Sequence, residues 1–253
     1  MLLRSITKHV NDQNWIAIGI DFFIVVVGVF IGIQVANWNE AGAFNDRETQ
    51  LLSELKNEIE NGINITVLKS DSYTQVTDAA ERSLLAIANE GQCETDCWLI
   101  LVDFMHASQW QDLRVIRSTY DDMRRLGLPL NRAIVEKVES FLARNEGSAI
   151  TLDDLPIYRS KVRQLIPFNV QKYYWENCYS YVNGAEIYSL NCPEVISKSM
   201  ASQIVQTIIK TPDIKLLLTE WAGNIVLIPS GFDDQNAEAL EAIALIEDEL
   251  KRR

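Results

Sequence analysis

Asp21 is the residue whose type and position in this 253-residue chain most strongly suggest chemistry. It is the one charged side chain in the apolar run from Trp15 to Trp38. An ionisable group inside a membrane helix is costly, so it normally belongs to a helix–helix contact or to a proton pathway. Both chemistries need a partner protein, and the residue type alone leaves both open.

Small residues lie on the same face of the predicted helix as Asp21. At about 100° per residue, Gly28 and Gly32 fall roughly 20° to either side of Asp21, and two alanines extend the strip. A small-x-x-x-small pair lets two helix backbones approach closely, where lipid provides no hydrophobic drive for association. The predicted packing face consists of Ala17, Asp21, Gly28, Gly32 and Ala36. We expect it to mediate self-association or contact with another membrane protein.

The four cysteines form two local pairs, and all of them follow the apolar run. Cys93 lies four positions before Cys97, and Cys178 lies fourteen positions before Cys192. An even number of cysteines in close pairs predicts two disulfides in an oxidising compartment, with 93–97 and 178–192 favoured among the possible connectivities. A four-cysteine zinc site is a weaker alternative, because neither pair has C-x₂-C spacing, and free buried thiols are another.

The chain carries no recognisable catalytic motif. It lacks a glycine-rich phosphate loop, a G-x-S-x-G nucleophile elbow and an H-E-x-x-H zinc motif. His106 lies in an apolar stretch typical of a core helix. The pairs Asp121-Asp122 and Asp153-Asp154 are better explained as helix-start or surface residues than as metal ligands. We therefore predict a protein that is not an enzyme and has no catalytic residue, cofactor or metal.

The run from Trp15 to Trp38 predicts one membrane-spanning helix. A helix of this length reaches about 36 Å, which exceeds a hydrocarbon core of about 30 Å, and a tryptophan at each end fits an aromatic belt. Polar residues follow the run at once, so an uncleaved signal anchor is favoured over a cleaved signal peptide. Arg4 and Lys8 precede the span, and fewer basic residues follow it closely, which predicts a cytoplasmic N-terminus.

The predicted organisation has four segments: a cytoplasmic N-terminus at 1–13, a transmembrane helix at 14–38, a helical stalk at 39–90 and a helical extracytoplasmic domain at 91–253. The stalk is predicted from apolar residues that recur every three or four positions between Leu51 and Ile87. Later segments keep this period, and no hairpin stands out among them. The expected fold class is therefore all-α.

An aromatic patch at 173–181 contains Tyr173, Tyr174, Trp175, Tyr179 and Tyr181. Aromatic residues at this density can bind a ligand, but at these spacings they more often form part of the core. The pattern favours the core and leaves a ligand of the patch open.

The charge balance makes nucleic acid a poor partner. Asp and Glu number 35 against 23 Lys and Arg, and the whole net charge of −12 falls on residues 40–253. Phosphate binding depends on clustered Lys and Arg, and the chain has no basic run. The predicted partners are the lipid bilayer and other protein.

The exit of the span has a distinctive sequence, Gln34-Val35-Ala36-Asn37-Trp38-Asn39-Glu40. Together with Gly19-Ile20-Asp21 and the run from Val26 to Gly32, it resembles an uncharacterised bacterial family of single-pass membrane proteins, whose members commonly carry Glu at the position of Asp21. The close resemblance covers residues 15–60, and a looser similarity of pattern covers 118–127 and the predicted helix that follows at Asn131. It implies a helical extramembrane part and a bacterial inner-membrane location with a periplasmic domain, but no activity.

Two functional hypotheses follow. The first is a non-enzymatic envelope protein whose outer domain binds a partner or self-assembles, while Asp21, Gly28 and Gly32 hold a membrane complex together. The second is an accessory subunit of a transport or proton-coupled complex, in which Asp21 carries protons. Single-span stator subunits have that general layout, but this chain has no recognisable peptidoglycan-binding domain. The first hypothesis is favoured.

Overall fold

The apolar N-terminal run forms part of one long helix in the computed structural model, which describes residues 15–93 and 96–253. This helix, α1, extends without a break from Trp15 to Ala88. The predicted N-terminal segment at 1–13 lies outside the described residues. The predicted transmembrane helix and stalk are therefore parts of a single helix.

The chain divides into two compact units, Met1–Leu51 and Leu52–Arg253. The boundary lies within α1, so the second unit contains the rest of this helix and every later element. The predicted stalk at 39–90 is divided between the units. From Leu52 onward its residues belong to the second unit, where Tyr73 and Val76 are part of the hydrophobic core.

After α1, the described part of the second unit forms eight shorter helices and one hairpin. The helices are α2 (Cys97–His106), α3 (Ser118–Arg125), α4 (Arg132–Ile150), α5 (Ile157–Leu165), α6 (Phe168–Asn177), α7 (Lys198–Ile209), α8 (Ile214–Ile225) and α9 (Ile228–Arg252). The fold is mostly α-helical, which confirms the class predicted from the helical period of the apolar residues.

The hairpin is an element that the sequence reasoning missed. β1 (Tyr179–Val182) pairs antiparallel with β2 (Ala185–Tyr188) across a two-residue turn. The turn residues Asn183 and Gly184 have φ values of 50° and 86°. Two positive φ values in a two-residue loop are what a type I′ turn requires, and Asn-Gly is the dipeptide that favours it. The Asn183-Gly184 dipeptide was thus the sequence signal from which the hairpin could have been predicted.

α2 lies in the core of the second unit. Trp98, Leu101, Phe104 and Met105 are each no more than 5% exposed. α7 and α5 pack against this helix. Burying one such side chain contributes about 2 kcal/mol relative to leaving it exposed, so these four residues of α2 make a substantial contribution to the stability of the unit.

Side chains from later helices bind the C-terminal end of α2. The last carbonyl groups of a helix have no partner within it, and buried ones must be satisfied by other groups. Tyr158 donates its hydroxyl to the carbonyl of Phe104 at 3.2 Å, and Trp221 donates Nε1–H to the carbonyl of Ala107 at 2.8 Å. These bonds hold α5 and α8 against α2.

α4 and α9 pack antiparallel to each other. Lys137 of α4 contacts Glu238 and Glu241 of α9 at 3.1 and 2.5 Å. About two turns further along α4, Arg144 contacts Asp234 at 3.6 Å. Residues later in α4 therefore contact residues earlier in α9, so the two helices run in opposite directions.

Candidate functional site

The predicted packing face lies on α1 and is open to its surroundings. Gly28 and Gly32 have no heavy atom within 4 Å of the position that a β-carbon would take. Asp21 is half-buried and Ala36 is exposed. Ala17 lies in the same helix, but its side chain is outside the described part of the structure. Because the helix is continuous here, Asp21 and both glycines share one face, where a second helix backbone has room to approach.

This part of α1 is long and apolar enough to cross a membrane, and it is the only such helix among the described residues. Its most apolar 18-residue window has a mean hydropathy of 2.4 and is 0% buried. Phe22 is 71% exposed and Phe30 is 61% exposed. Soluble proteins rarely expose so large an apolar surface, whereas lipid covers it in a membrane. The chain is therefore indicated to be a single-pass membrane protein.

Both predicted cysteine pairs are joined in the structure. The Cα–Cα distance is 5.1 Å for Cys93–Cys97 and 5.2 Å for Cys178–Cys192. The first disulfide joins Cys93 to the first residue of α2, and the second encloses the hairpin. Disulfides persist in oxidising compartments, so this pairing is consistent with such a compartment.

Most of the aromatic patch is packed into the protein. Tyr174 is 1% exposed, and its hydroxyl accepts a hydrogen bond from Gln109 Nε2 at 3.0 Å. The rings of Trp175 and Tyr179 meet edge to face with 4.9 Å between their centroids. Tyr181 is the exception, with 67% of its surface exposed. The patch is thus a core cluster with one open end.

Two arginines that the sequence reasoning missed lie beside this cluster. Arg159 Nη1 donates to the carbonyl of Ser108 at 2.8 Å, and Arg163 Nη2 donates to Gln109 Oε1 at 3.0 Å. The Arg163 guanidinium lies 4.9 Å from the Trp175 ring centroid, within range of a cation–π contact. Burial, with the charge of Arg159, lowers the pKa of Arg163 to about 10, so it stays protonated at neutral pH. These cations stabilise the carbonyl end of α2.

His106 is enclosed by aromatic rings. It is 1% exposed, with ring centroids at 5.3 Å from Tyr174 and 5.5 Å from Tyr188. Its Nε2 has no hydrogen-bond partner among the described residues. Burial, with the positive charge of Arg82, lowers the pKa of the imidazole to about 4. His106 is therefore a neutral core residue at physiological pH, with no open path to a substrate.

The acidic pairs form surface ion pairs. Asp121 contacts Arg117 at 2.9 Å, and Asp153 contacts Arg114. Within residues 15–93 and 96–253, no group of three or more His, Cys, Asp or Glu side chains is arranged to hold a metal ion. Their placement fits the surface role that the sequence favours.

A cleft of about 510 Å³ lies between the end of α1 and the start of α2. Its polar wall contains Arg82 and Asp103, whose side chains form a bidentate pair at 2.7 to 3.0 Å. Leu85, Ile100 and Leu190 line the apolar part. The guanidinium of Arg82 and the carboxylate of Asp103 therefore satisfy each other in this arrangement.

No family model matches the chain, and no curated protein or solved structure was found to be similar to it. The open face of α1 is the candidate site that we consider further, because a carboxyl group in an apolar helix and a small-x-x-x-small pair on the same face both favour contact with another helix. The disulfides and the buried polar residues instead stabilise the second unit.

Proposed function

We propose that this chain is a non-enzymatic single-pass membrane protein of the bacterial envelope, which assembles through its transmembrane helix. The observation that carries the proposal is the open strip of Asp21, Gly28 and Gly32 on an exposed apolar helix. Lipid alone gives no advantage to glycines four residues apart or to a carboxyl group on the same face. A second helix does, because it packs against the glycines and keeps the carboxyl group away from hydrocarbon.

The proposed topology has a cytoplasmic N-terminus and a periplasmic C-terminal domain at the inner membrane. Two disulfides in the second unit support an oxidising compartment. The basic residues Arg4 and Lys8 before the span support the orientation. The resemblance of residues 34–40 to the bacterial single-pass family supports the envelope location, and we propose membership of that family.

The proposed absence of enzymatic activity is supported by how the reactive side chains are used. Arg82 and Asp103 bind each other, and His106 is enclosed by tyrosine rings. A general base must reach the proton that it abstracts, and a neutral buried imidazole does not. The outer domain accordingly serves contacts with protein.

The test of assembly compares two identical substitutions on opposite faces of the helix. In the full chain in lipid vesicles, Gly28→Leu should weaken energy transfer between labelled copies, with association falling about tenfold, because the side chain separates the backbones. Gly19→Leu is the matched control, since Gly19 lies about 160° away from Asp21 around the helix. It should leave the association unchanged. Equal effects of the two substitutions would contradict the proposal.

Proton coupling is the alternative function, and the acidic side chain in the span is the feature that favours it. Asp21→Asn distinguishes proton coupling from assembly. The carboxamide keeps the size and hydrogen-bonding capacity of the side chain but carries no titratable proton. Under the proposed role, Asp21→Asn keeps both the energy transfer between copies and the cellular function. Under the alternative, the cellular function would be lost while the energy transfer persists.

A further inference from the structure

The hairpin of the second unit has one covered edge. On β2, the N–H of Glu186 donates to Gln111 Oε1 at 3.2 Å, and its carbonyl accepts from the Ser72 hydroxyl. The backbone groups of Glu186 therefore point away from β1. Glu186 lies opposite Tyr181 in the register, so this is a pair without hydrogen bonds between its members.

The other edge, along β1, is open. The N–H and C=O of Tyr181 must also point away from β2. Hydrogen-bonded and non-hydrogen-bonded pairs alternate along the strand, so the N–H and C=O of Tyr179, two residues earlier, point the same way. These outward backbone groups have no hydrogen-bond partner within the part of the chain that the structure describes. Proteins usually protect such an edge by keeping the strand short, or with a lysine, a proline, a bulge or a covering element. β1 reads Tyr-Ser-Tyr-Val, a short strand of four residues that has no lysine, proline or bulge.

We propose that β1 pairs with β1 of a second copy of this chain, which makes an antiparallel four-stranded sheet around a two-fold axis at Ser180. In this register, Tyr179 of one copy lies opposite Tyr181 of the other. The four outward N–H groups and the four outward C=O groups of the two strands then face each other in pairs. Ser180 lies opposite Ser180 of the other copy in a non-hydrogen-bonded pair, with the two Cα atoms about 4.5 Å apart.

A second copy fits this edge better than an unrelated strand because a two-fold interface is self-complementary. A charged residue on the axis would face its own charge, but β1 has no charged residue although the chain carries a net charge of −12. The Tyr181 ring, 67% exposed in one copy, would lie against Tyr179 of the other as a cross-strand aromatic pair. The inference rests on the proposed role in assembly and supplies its contact outside the membrane helix.

The test places a photoreactive group on the open edge of the full chain in membranes. After irradiation, Tyr181→p-benzoyl-phenylalanine should give a covalent dimer whose joined peptides both come from this chain. The matched control is Phe168→p-benzoyl-phenylalanine, because Phe168 is an aromatic residue on α6 that is 80% exposed. It should give no dimer. A Tyr181 cross-link to a different protein, or no cross-link, would overturn the proposal.

Charge substitutions at the axis test the register. In the Tyr181 cross-linking background, Ser180→Lys and Ser180→Glu should each reduce the dimer at least fivefold, because like charges meet on the axis. Mixing the two variants should restore it, since opposite charges then meet. Ser180 is exposed, so the circular dichroism of each variant should match that of the parent. A dimer that persists in both single variants would overturn the proposed register.

The two proposed contacts fail separately. If Gly28→Leu has no effect on energy transfer while the Tyr181 dimer responds to charge at Ser180, the sheet contact stands and the helix contact falls. If Gly28→Leu abolishes energy transfer while no Tyr181 dimer forms in the parent chain, the sheet contact falls and the helix contact stands.

Discussion

Protonation of a single imidazole links the stability of the second unit to pH. The pKa of about 4 for folded His106 lies below its ordinary value of 6.5. Below pH 6.5 the unfolded chain therefore binds a proton that the folded chain does not. We predict that the free energy of unfolding falls as the pH drops from 6.5 towards 4, by about 3 kcal/mol at most. Urea unfolding at pH 7 and pH 4.5 measures this change.

The chain offers a matched control for that prediction, because its two histidines are His9 and His106. His106→Phe should remove most of this acid sensitivity, because phenylalanine binds no proton in either the folded or the unfolded chain. His9→Phe should keep the sensitivity of the parent chain. Equal loss of stability on acidification in the parent and His106→Phe would show that other groups cause the effect.

Gly91 is required by both its backbone conformation and its surroundings. Its φ is 66°, and a β-carbon there would lie 2.5 Å from Ile209 Cδ1. Gly127 has a similar φ of 76° but no atom within 4 Å of the same position. Because Ile209 Cδ1 is the end of a half-buried side chain that has to shift, we predict that Gly91→Ala lowers the free energy of unfolding by about 2 kcal/mol and Gly127→Ala by about 1 kcal/mol. Thermal unfolding of both variants checks the difference, and equal losses would assign the whole effect to φ.

Some residues could be predicted from the sequence, and others depend on contacts that the sequence does not display. Asp21 and the cysteine pairs stand out because their type or spacing is unusual in its local context. Arg159 and Arg163 do not stand out, because an arginine on a short helix is normally a surface residue. Their role depends on Ser108, about fifty positions earlier in the chain, and no local pattern reveals such a contact.

At the scale of elements, α5 stabilises the end of α2 through Arg163. Arg163→Leu would leave the buried oxygen of Gln109 without its 3.0 Å partner and remove the cation from the Trp175 ring. We predict a loss of about 2 kcal/mol in the free energy of unfolding. Lys161→Leu on the same helix is the control, since Lys161 is exposed and should change stability by less than about 0.5 kcal/mol. Urea unfolding that gives equal losses would contradict the proposed role of Arg163.

The helices were predictable as a class, whereas the hairpin was not recognised. Apolar residues at every third or fourth position mark a helix that buries one face, and α4 and α9 follow this rule. The first strand of the hairpin overlaps the end of the aromatic patch, where the tyrosines of β1 obscure a short strand pattern. Asn183-Gly184 was the one local signal, and its significance depends on the strands that flank it.

At the scale of the whole molecule, the sequence predicted the membrane helix but could not locate the boundary between the units. The apolar run ends at Trp38, yet the first unit continues to Leu51. Residues 52–88 have the helical period of a stalk, and they also fit one helix of a packed domain. The period of the apolar residues shows which face of a helix is apolar but not what covers that face. A stalk helix and a helix of a packed domain therefore have the same sequence pattern.

The central claim is that one helix anchors the chain while the second unit lies in an oxidising compartment. The direct measurement is labelling with a membrane-impermeant maleimide in cells whose outer membrane has been opened, with and without reductant. Cys93, which is half-buried, is the reporter, since Cys97, Cys178 and Cys192 are no more than 3% exposed. Ser5→Cys in the N-terminal segment is the orientation control and should react only after full lysis.

The account predicts that Cys93 reacts in unlysed cells once the reductant is added, and not before. Reaction without reductant would contradict the Cys93–Cys97 disulfide in the cell. Reaction of Cys93 only after full lysis, together with early reaction of Ser5→Cys, would reverse the topology and contradict the central claim.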